Sequence, residues 1–162
     1  MKNNILRDLS KGHEGENKVS EYLNQLGIDS WINNEKGKLS YYDIGFKLKA
    51  KEFTVEVKND LYAKRSGNIA IEVFNPKTGK PSGLGITLAD FWCHITDGLY
   101  FTKVSILKQF AEEYKPFKII SAGGDNNATL YLYKANFLFP KIFIRSANIS
   151  DKKGLFYFKS FC

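Results

Sequence analysis

Phe53-Thr54-Val55-Glu56-Val57-Lys58 is the stretch on which the reading of this chain turns. Apolar residues alternate with Thr, Glu and Lys, the period of a half-buried strand. Side chains alternate between the two faces of a strand. Glu56 and Lys58 therefore project together, while Val55 and Val57 enter the opposite face. A carboxylate and an ammonium stand side by side. By itself this also describes a solvated strand face carrying an ordinary ion pair.

Working upstream, Leu39 to Leu48 reads as another strand, with Ile44, Phe46 and Leu48 on one face. Lys49-Ala50-Lys51-Glu52 joins the two as a polar hairpin connection. Asp43 points away from the apolar face, and the hairpin brings it near Glu56. Two carboxylates held close repel unless a cation lies between them. Hard oxygen ligands with retained water suit Mg²⁺; the alternative is two unrelated exposed acids. Earlier still, Lys11 to Leu26 reads as a helix with Val19, Tyr22, Leu23 and Leu26 on one stripe and Gly27 as its left-handed cap. Glu16 falls on or beside that stripe. An acid there is costly unless paired or bound to a metal, or unless it reaches water at the stripe's edge. Glu14 lies on another face, four residues from Lys18, where it can pair.

Between that helix and the hairpin, Ile28 to Asn33 reads as a short strand, and downstream Asn68 to Phe74 reads as a strand with Ile69, Ile71 and Val73 on one face. Glu72, on the other face, reaches the carboxylate pair if this strand neighbours Phe53–Lys58, and is an exposed strand acid otherwise. Asn75 to Gly83 reads as an exposed loop. In Lys80 to Asp90, Ser82, Thr87 and the glycine amides are candidates for holding a phosphate, against the alternative of an ordinary turn. The spacing is not that of a nucleotide phosphate loop, which excludes an ATPase. Asp90 is expected to cap or buttress this segment. Phe91–Ile95 and Leu99–Thr102 read as strands around Asp97-Gly98, and Val104–Tyr114 as a helix stopped by Pro116. The remainder is aromatic and β-rich, with Gly123–Asn127 as a loop. The expected fold is α/β: a central mixed β-sheet flanked by helices, with a β-rich C-terminal extension.

The chain of 162 residues suits one domain, residues 1–162, with a single sizeable core. Its net charge of +7 favours a polyanionic partner. Lys36, Lys38, Lys47, Lys49, Lys51, Lys58, Lys64 and Arg65 crowd the segment around the carboxylates. Lys64 and Arg65, with Lys36 and Lys38, are the candidate phosphate contacts, and the rest contribute a diffuse field. Two distant cysteines, Cys93 and Cys162, give neither a zinc site nor a disulfide scaffold. His13 and His94 read as structural, and no Ser/His/Asp or Cys/His arrangement suggests a covalent mechanism. No signal peptide or membrane span is apparent, so a cytoplasmic protein without a membrane partner is expected.

Taken together, Gly12-His13-Glu14-Gly15-Glu16, Tyr42-Asp43-Ile44 and Thr54-Val55-Glu56-Val57-Lys58 form an ordered pattern of helix Glu, strand Asp and strand Glu-x-Lys. In this the chain resembles the PD-(D/E)xK nuclease superfamily, of restriction-endonuclease-like fold. It is similar to archaeal Holliday-junction resolvases and related small nucleases over about residues 11–74. Tyr42 stands where the motif's proline would be. The resemblance implies a metal-dependent DNA nuclease. Asp43 and Glu56 would hold Mg²⁺, or Mn²⁺ in its place, with the Val57 carbonyl. Glu16 would complete the shell directly or through water, and Lys58 would position or activate the attacking water. A non-cutting nucleic-acid-binding module of the same fold and an RNA-directed nuclease are the alternatives. A junction resolvase is expected to be a homodimer, since two symmetric cuts need two sites. Leu155-Phe156-Tyr157-Phe158 is a candidate dimer surface, or else a buried final strand.

Overall fold

The computed structural model describes residues 2–34, 41–122 and 128–146, with the side chains of 12–34, 41–121 and 128–146. Lys36, Lys38, the loop 123–127 and the aromatic stretch 155–158 lie outside the described residues. The chain forms a mixed α/β fold: a central mixed sheet flanked by helices, joined by a second, antiparallel sheet.

The centre of the first sheet is β3 (Lys51–Asn59), the strand read first from the sequence. The preceding strand, β2 (Ile44–Leu48), pairs with it antiparallel, Ile44 opposite Val55 and Leu48 opposite Lys51. That register leaves Lys49-Ala50 as a two-residue turn, shorter than the four-residue connection expected. Lys49 takes the left-handed conformation (φ 58°) that so tight a hairpin demands. β1 (Asp29–Ile32) continues the sheet beyond β2. On the other side of β3 lies β6 (Phe91–Ile95), the sheet's parallel neighbour, followed by β7 (Leu99–Lys103) and β10 (Ile144–Arg145). Every residue of β6 is buried. A strand covered on both faces reads as an uninterrupted apolar run, as Phe-Trp-Cys-His-Ile nearly does.

α1 (Lys2–Gln25) begins well before the residue where the apolar stripe starts, and Gly27 caps its end with φ 71°. Val19, Tyr22 and Leu23 of α1 meet Ile44, Phe46, Val55 and Phe91 in one core. A second core lies on the opposite face of β6, around Trp92. It is closed by α3 (Val104–Glu113), α4 (Ala135–Ile142) and a second, four-stranded sheet. β4 (Asn68–Asn75) turns through a short hairpin into β5 (Lys80–Pro81), so part of the expected loop is paired. The β-rich C-terminal region supplies β8 (Lys118–Ala122) and β9 (Ala128–Lys134), and β9 pairs with β4. Helix α4 was not legible. Asn136-Phe137-Leu138-Phe139-Pro140 is aromatic and ends in a helix breaker, and it packs against the second core through the buried Leu138 together with Ala135, Phe139 and Ile142.

Asp60, just after β3, fastens this arrangement. Its Oδ1 accepts the N–H groups of Tyr62 and Ala63 (3.1 and 3.0 Å) at the start of α2 (Ala63–Ser66). Its Oδ2 lies 3.2 Å from Nε2 of the fully buried His94. Trp92 Nε1–H donates to His94 Nδ1 at 3.4 Å, so the ring proton sits on Nε2 and is donated to Asp60. Burial alone would raise the Asp60 carboxyl. The hydrogen bond from His94, with the amides of Ala63 and Ala70, outweighs it and holds the group below its ordinary value. Asp60→Ala should cost about 2–4 kcal/mol, because it removes a cap and strands a buried imidazole N–H. Because the folded pKa is depressed, this contribution is present at neutral pH and lost as acid protonates Asp60. Chemical denaturation at neutral and strongly acidic pH measures both. A variant as stable as the parent at neutral pH would sink the assignment.

Candidate active site

The site grows from the point where β2 stops hydrogen bonding as a regular strand. Extending the β2–β3 register by one residue sets Asp43 opposite Glu56. The Asp43 N–H still bonds the Val55 carbonyl (2.9 Å), while its carboxylate Oδ2 accepts the N–H of Val57 at 2.7 Å. The sequence reading gave Val57 a carbonyl role. The structure adds an amide role, holding Asp43 in place. Glu56 and Lys58, two apart on one face, form an ion pair of 2.9 Å with the side chains only 13% and 33% exposed. The expected strand-face pair is present, but it is largely withdrawn from water.

Electrostatics sets these groups apart from ordinary surface charge. Burial, and then the Glu56 carboxylate, push the Asp43 carboxyl from its usual 3.8 up to about 6, with a further push from Glu16. The Val57 amide and Lys58 pull it back only in part. For Lys58, burial acts to lower the pKa. The Glu56 carboxylate outweighs it, with help from Asp43 and Glu72, and holds the ammonium above its ordinary 10.5. Lys58 is therefore a fixed cation at neutral pH. Its Nζ lies 5.7 Å from the centre of the Trp92 ring, which gives it an aromatic floor.

Glu16 reaches this neighbourhood because α1 packs closely on β3 at Gly15. A Cβ at Gly15 would lie 3.1 Å from Asn59 Cβ and 3.3 Å from Ile95 Cδ1. The absent side chain sets the helix down beside the strand end. Glu16 is 18% exposed and pairs with His13 Nδ1 at 3.0 Å. His13, read from the sequence as structural, is thus attached to a candidate site residue. The three-residue helical spacing was the available signal. Glu14 pairs with Lys18, as expected, at 2.6 Å.

The Lys80–Asp90 segment enters the site through one residue. Thr87, 3% exposed, places Oγ1 at 3.4 Å from Glu56 Oε2 and 3.1 Å from the Tyr41 carbonyl. Lys108 of α3 holds the Thr87 carbonyl at 3.2 Å. Ser82 differs: its buried Oγ has no hydrogen-bond partner among the described residues. Asp90 buttresses β3 rather than its own loop, since its Oδ2 accepts the N–H and hydroxyl of Thr54 at 2.9 and 3.0 Å.

Comparison with known proteins adds little. No family model matches the chain, and no curated protein matches it. Among solved structures, it is similar to a bacterial homing endonuclease, I-Ssp6803I, with 12% identity over 88% of this chain and 79% of that one. The TM-score is 0.41, too low for the likeness to bear on fold or function.

Three further sequence expectations are sorted by the tertiary structure. β4 does not neighbour β3, since it lies in the second sheet, yet Glu72 still faces Lys58 across the gap. Arg65 lies over the ring of Tyr62 at 5.4 Å, beside the cleft that holds Lys58. Lys64 lines a different depression, with Asp97, Tyr100 and Phe139. Cys93 is a buried free thiol whose pKa burial pushes up. No described helix is long and apolar enough to cross a membrane.

Among the described residues no group of three or more Asp, Glu, His or Cys is assembled as a ligand set. The close carboxylates are two, Asp43 and Glu56. That donor set fits Mg²⁺, which is commonly held by one or two carboxylates and keeps several waters. Burial first, and then the Glu56 carboxylate, raise the Asp43 carboxyl, and Lys58 offsets this only in part.

Proposed function

We propose that the chain is a metal-dependent nuclease that hydrolyses the phosphodiester backbone of DNA, with a restriction-endonuclease-like site of the PD-(D/E)xK kind. The observation that carries this reading is the juxtaposition of Asp43 with Glu56 across the β2–β3 hairpin, withdrawn from water and with Lys58 2.9 Å from Glu56. Asp43, Glu56 and the Val57 carbonyl would hold Mg²⁺ or Mn²⁺, with Glu16 acting directly or through water. The bound metal would supply a water of lowered pKa and shield the phosphate anion. Lys58, held protonated, contributes positive charge where the phosphate gains negative charge. The Thr87 hydroxyl lies within reach of the Glu56 carboxylate and is shared with the Tyr41 carbonyl, and Asp43 is fixed by the Val57 amide. Arg65 and Lys64 are proposed phosphate contacts on either side of α2.

The test is cleavage of labelled single strand, duplex, flap and four-way-junction DNA, with an RNA control, in Mg²⁺, Mn²⁺ or EDTA. Junction cutting by a dimer would support the resolvase-like form of the reading. Binding of DNA without cutting under any metal would favour a binding module of the same fold.

Linkage gives a test that needs no substrate. The folded state keeps a proton on Asp43 between about pH 3.8 and about pH 6 that the unfolded state has released. Its pKa is raised, so without metal this group lowers stability as pH rises through that window, by about 3 kcal/mol at most. Mg²⁺ should recover that loss above about pH 6 and have little effect near pH 4. Thermal melts in EDTA and in Mg²⁺ across this range read the difference. A Mg²⁺ effect equal at both ends would argue against a metal at Asp43.

A further inference from the structure

A cleft of about 690 Å³ opens beside Lys58, between the end of β3 and one face of the second sheet. Pairing in that sheet aligns Glu72, Leu130 and Ile120 in one row and Ala70, Leu132 and Lys118 in the next. Ile69, Ile71 and Tyr133 point the other way, into the second core. The cleft face is thus a half-exposed apolar wall of Ile120, Leu130 and Leu132, with Gly12 of α1 also lining the cleft. Opposite stand Val57, Lys58 and Asn59. At the mouth stand Leu61 and Tyr62, 53% and 70% exposed. Arg65 lies over the Tyr62 ring and adds positive charge there.

We propose that this cleft receives one unpaired nucleobase of the DNA whose backbone phosphate lies at Lys58, an inference that rests on the nuclease reading above. Three features select that occupant. An apolar wall and an exposed aromatic ring suit a planar ring system, since every base has a π-face to stack. Polar groups of Lys58, Ser66 and Asn68 stand among the lining residues, where a base edge would meet them. Lys58 belongs both to the carboxylate site and to the cleft, so a nucleotide anchored there by its phosphate has its base within reach of the cleft. The cleft volume lies within the common range for small-ligand sites of about 300–1,000 Å³. A base still paired and stacked in duplex cannot enter it. The site therefore favours DNA with a mismatch, an unpaired nucleotide or a free strand, where extrusion costs least.

The test is binding in EDTA, so that it is independent of cleavage. Fluorescent single strand, perfect duplex and duplex with one central mismatch are titrated with the full chain, and 2-aminopurine is placed at the mismatch. The mismatched duplex and single strand should bind about tenfold or more tighter than perfect duplex, with a change in 2-aminopurine emission. Tyr62→Ala and Leu130→Ala should erase the preference and leave affinity for perfect duplex within about twofold, while Tyr62→Phe keeps it. Tyr62 is exposed, so its variants report on binding without a folding cost. Equal binding of all three DNAs, or an equal loss on every DNA in Tyr62→Ala, overturns the proposal. Metal-dependent cutting without base preference would sink the cleft alone. Base preference without cutting in any metal would sink the nuclease reading and leave the base site standing.

Discussion

Asp43→Asn is expected to lower metal-dependent DNA cleavage by about 10³-fold while making the metal-free protein more stable at neutral pH. The two effects have one cause. In the native fold, Asp43 ionises against burial and against the Glu56 carboxylate, which lifts its carboxyl to about 6. At neutral pH it is therefore a repelled anion unless a cation is present. Asn keeps an oxygen for the 2.7 Å bond from the Val57 amide, so the strand geometry has a reason to survive. It removes the charge that would hold the metal. Function and stability trade in opposite directions, as is common where an active site stores electrostatic strain. The measurement pairs a cleavage assay with thermal melts in EDTA at about pH 4 and at neutral pH. The Asn variant should gain stability mainly at neutral pH, and its Mg²⁺-induced stabilisation should disappear. Undiminished cleavage would remove Asp43 from the active site. A variant less stable at neutral pH would show that the carboxylate is a structural anchor.

Lys58→Met is expected to reduce cleavage by about 10²–10³-fold without weakening metal binding at alkaline pH. Lys58 is one of the groups that pull the Asp43 carboxyl down, so its loss should carry the pH midpoint of metal binding above about 6. Lys58→Arg separates two roles. Glu56 and its neighbours hold the Lys58 ammonium above 10.5, which suits a permanent charge and ill suits a proton acceptor at neutral pH. Arginine keeps the charge and cannot act as a base. It should retain at least about tenfold more activity than Met if Lys58 works through charge. Met and Arg variants equally inactive, with metal binding intact, would instead point to a proton-transfer role. Both variants need a fold check, because Lys58 sits over Trp92 in the second core.

The local part of the fold could be read from residue order. Val19, Tyr22 and Leu23 declare the buried side of α1 by their spacing, and Phe53, Val55 and Val57 declare that of β3. Once β2 and β3 are accepted as a hairpin, Asp43 must fall opposite Glu56 within one residue of register, because a slip would turn Ile44 and Phe46 out of the core. The carboxylate pair and its neighbouring lysine are therefore legible in the residue order itself. The paired acid and base of α1, Glu14 and Lys18, were legible for the same reason: helical spacing is local.

What the tertiary structure alone decided are the contacts between segments far apart in sequence. The parallel pairing of β3 with β6, which puts Trp92 under Lys58, requires a long crossover that no local pattern encodes. The same holds for Thr87 on Glu56, Asp90 on Thr54 and His94 on Asp60, each joining residues more than 30 positions apart. The second sheet follows this rule too. β4 pairs with β9 across 55 to 66 residues, and the cleft beside Lys58 exists only because that pairing turns Leu130 and Leu132 toward the end of β3. Periodicity fixes which face of an element is apolar. Only the free energy of packing all the faces at once fixes which other face each one meets.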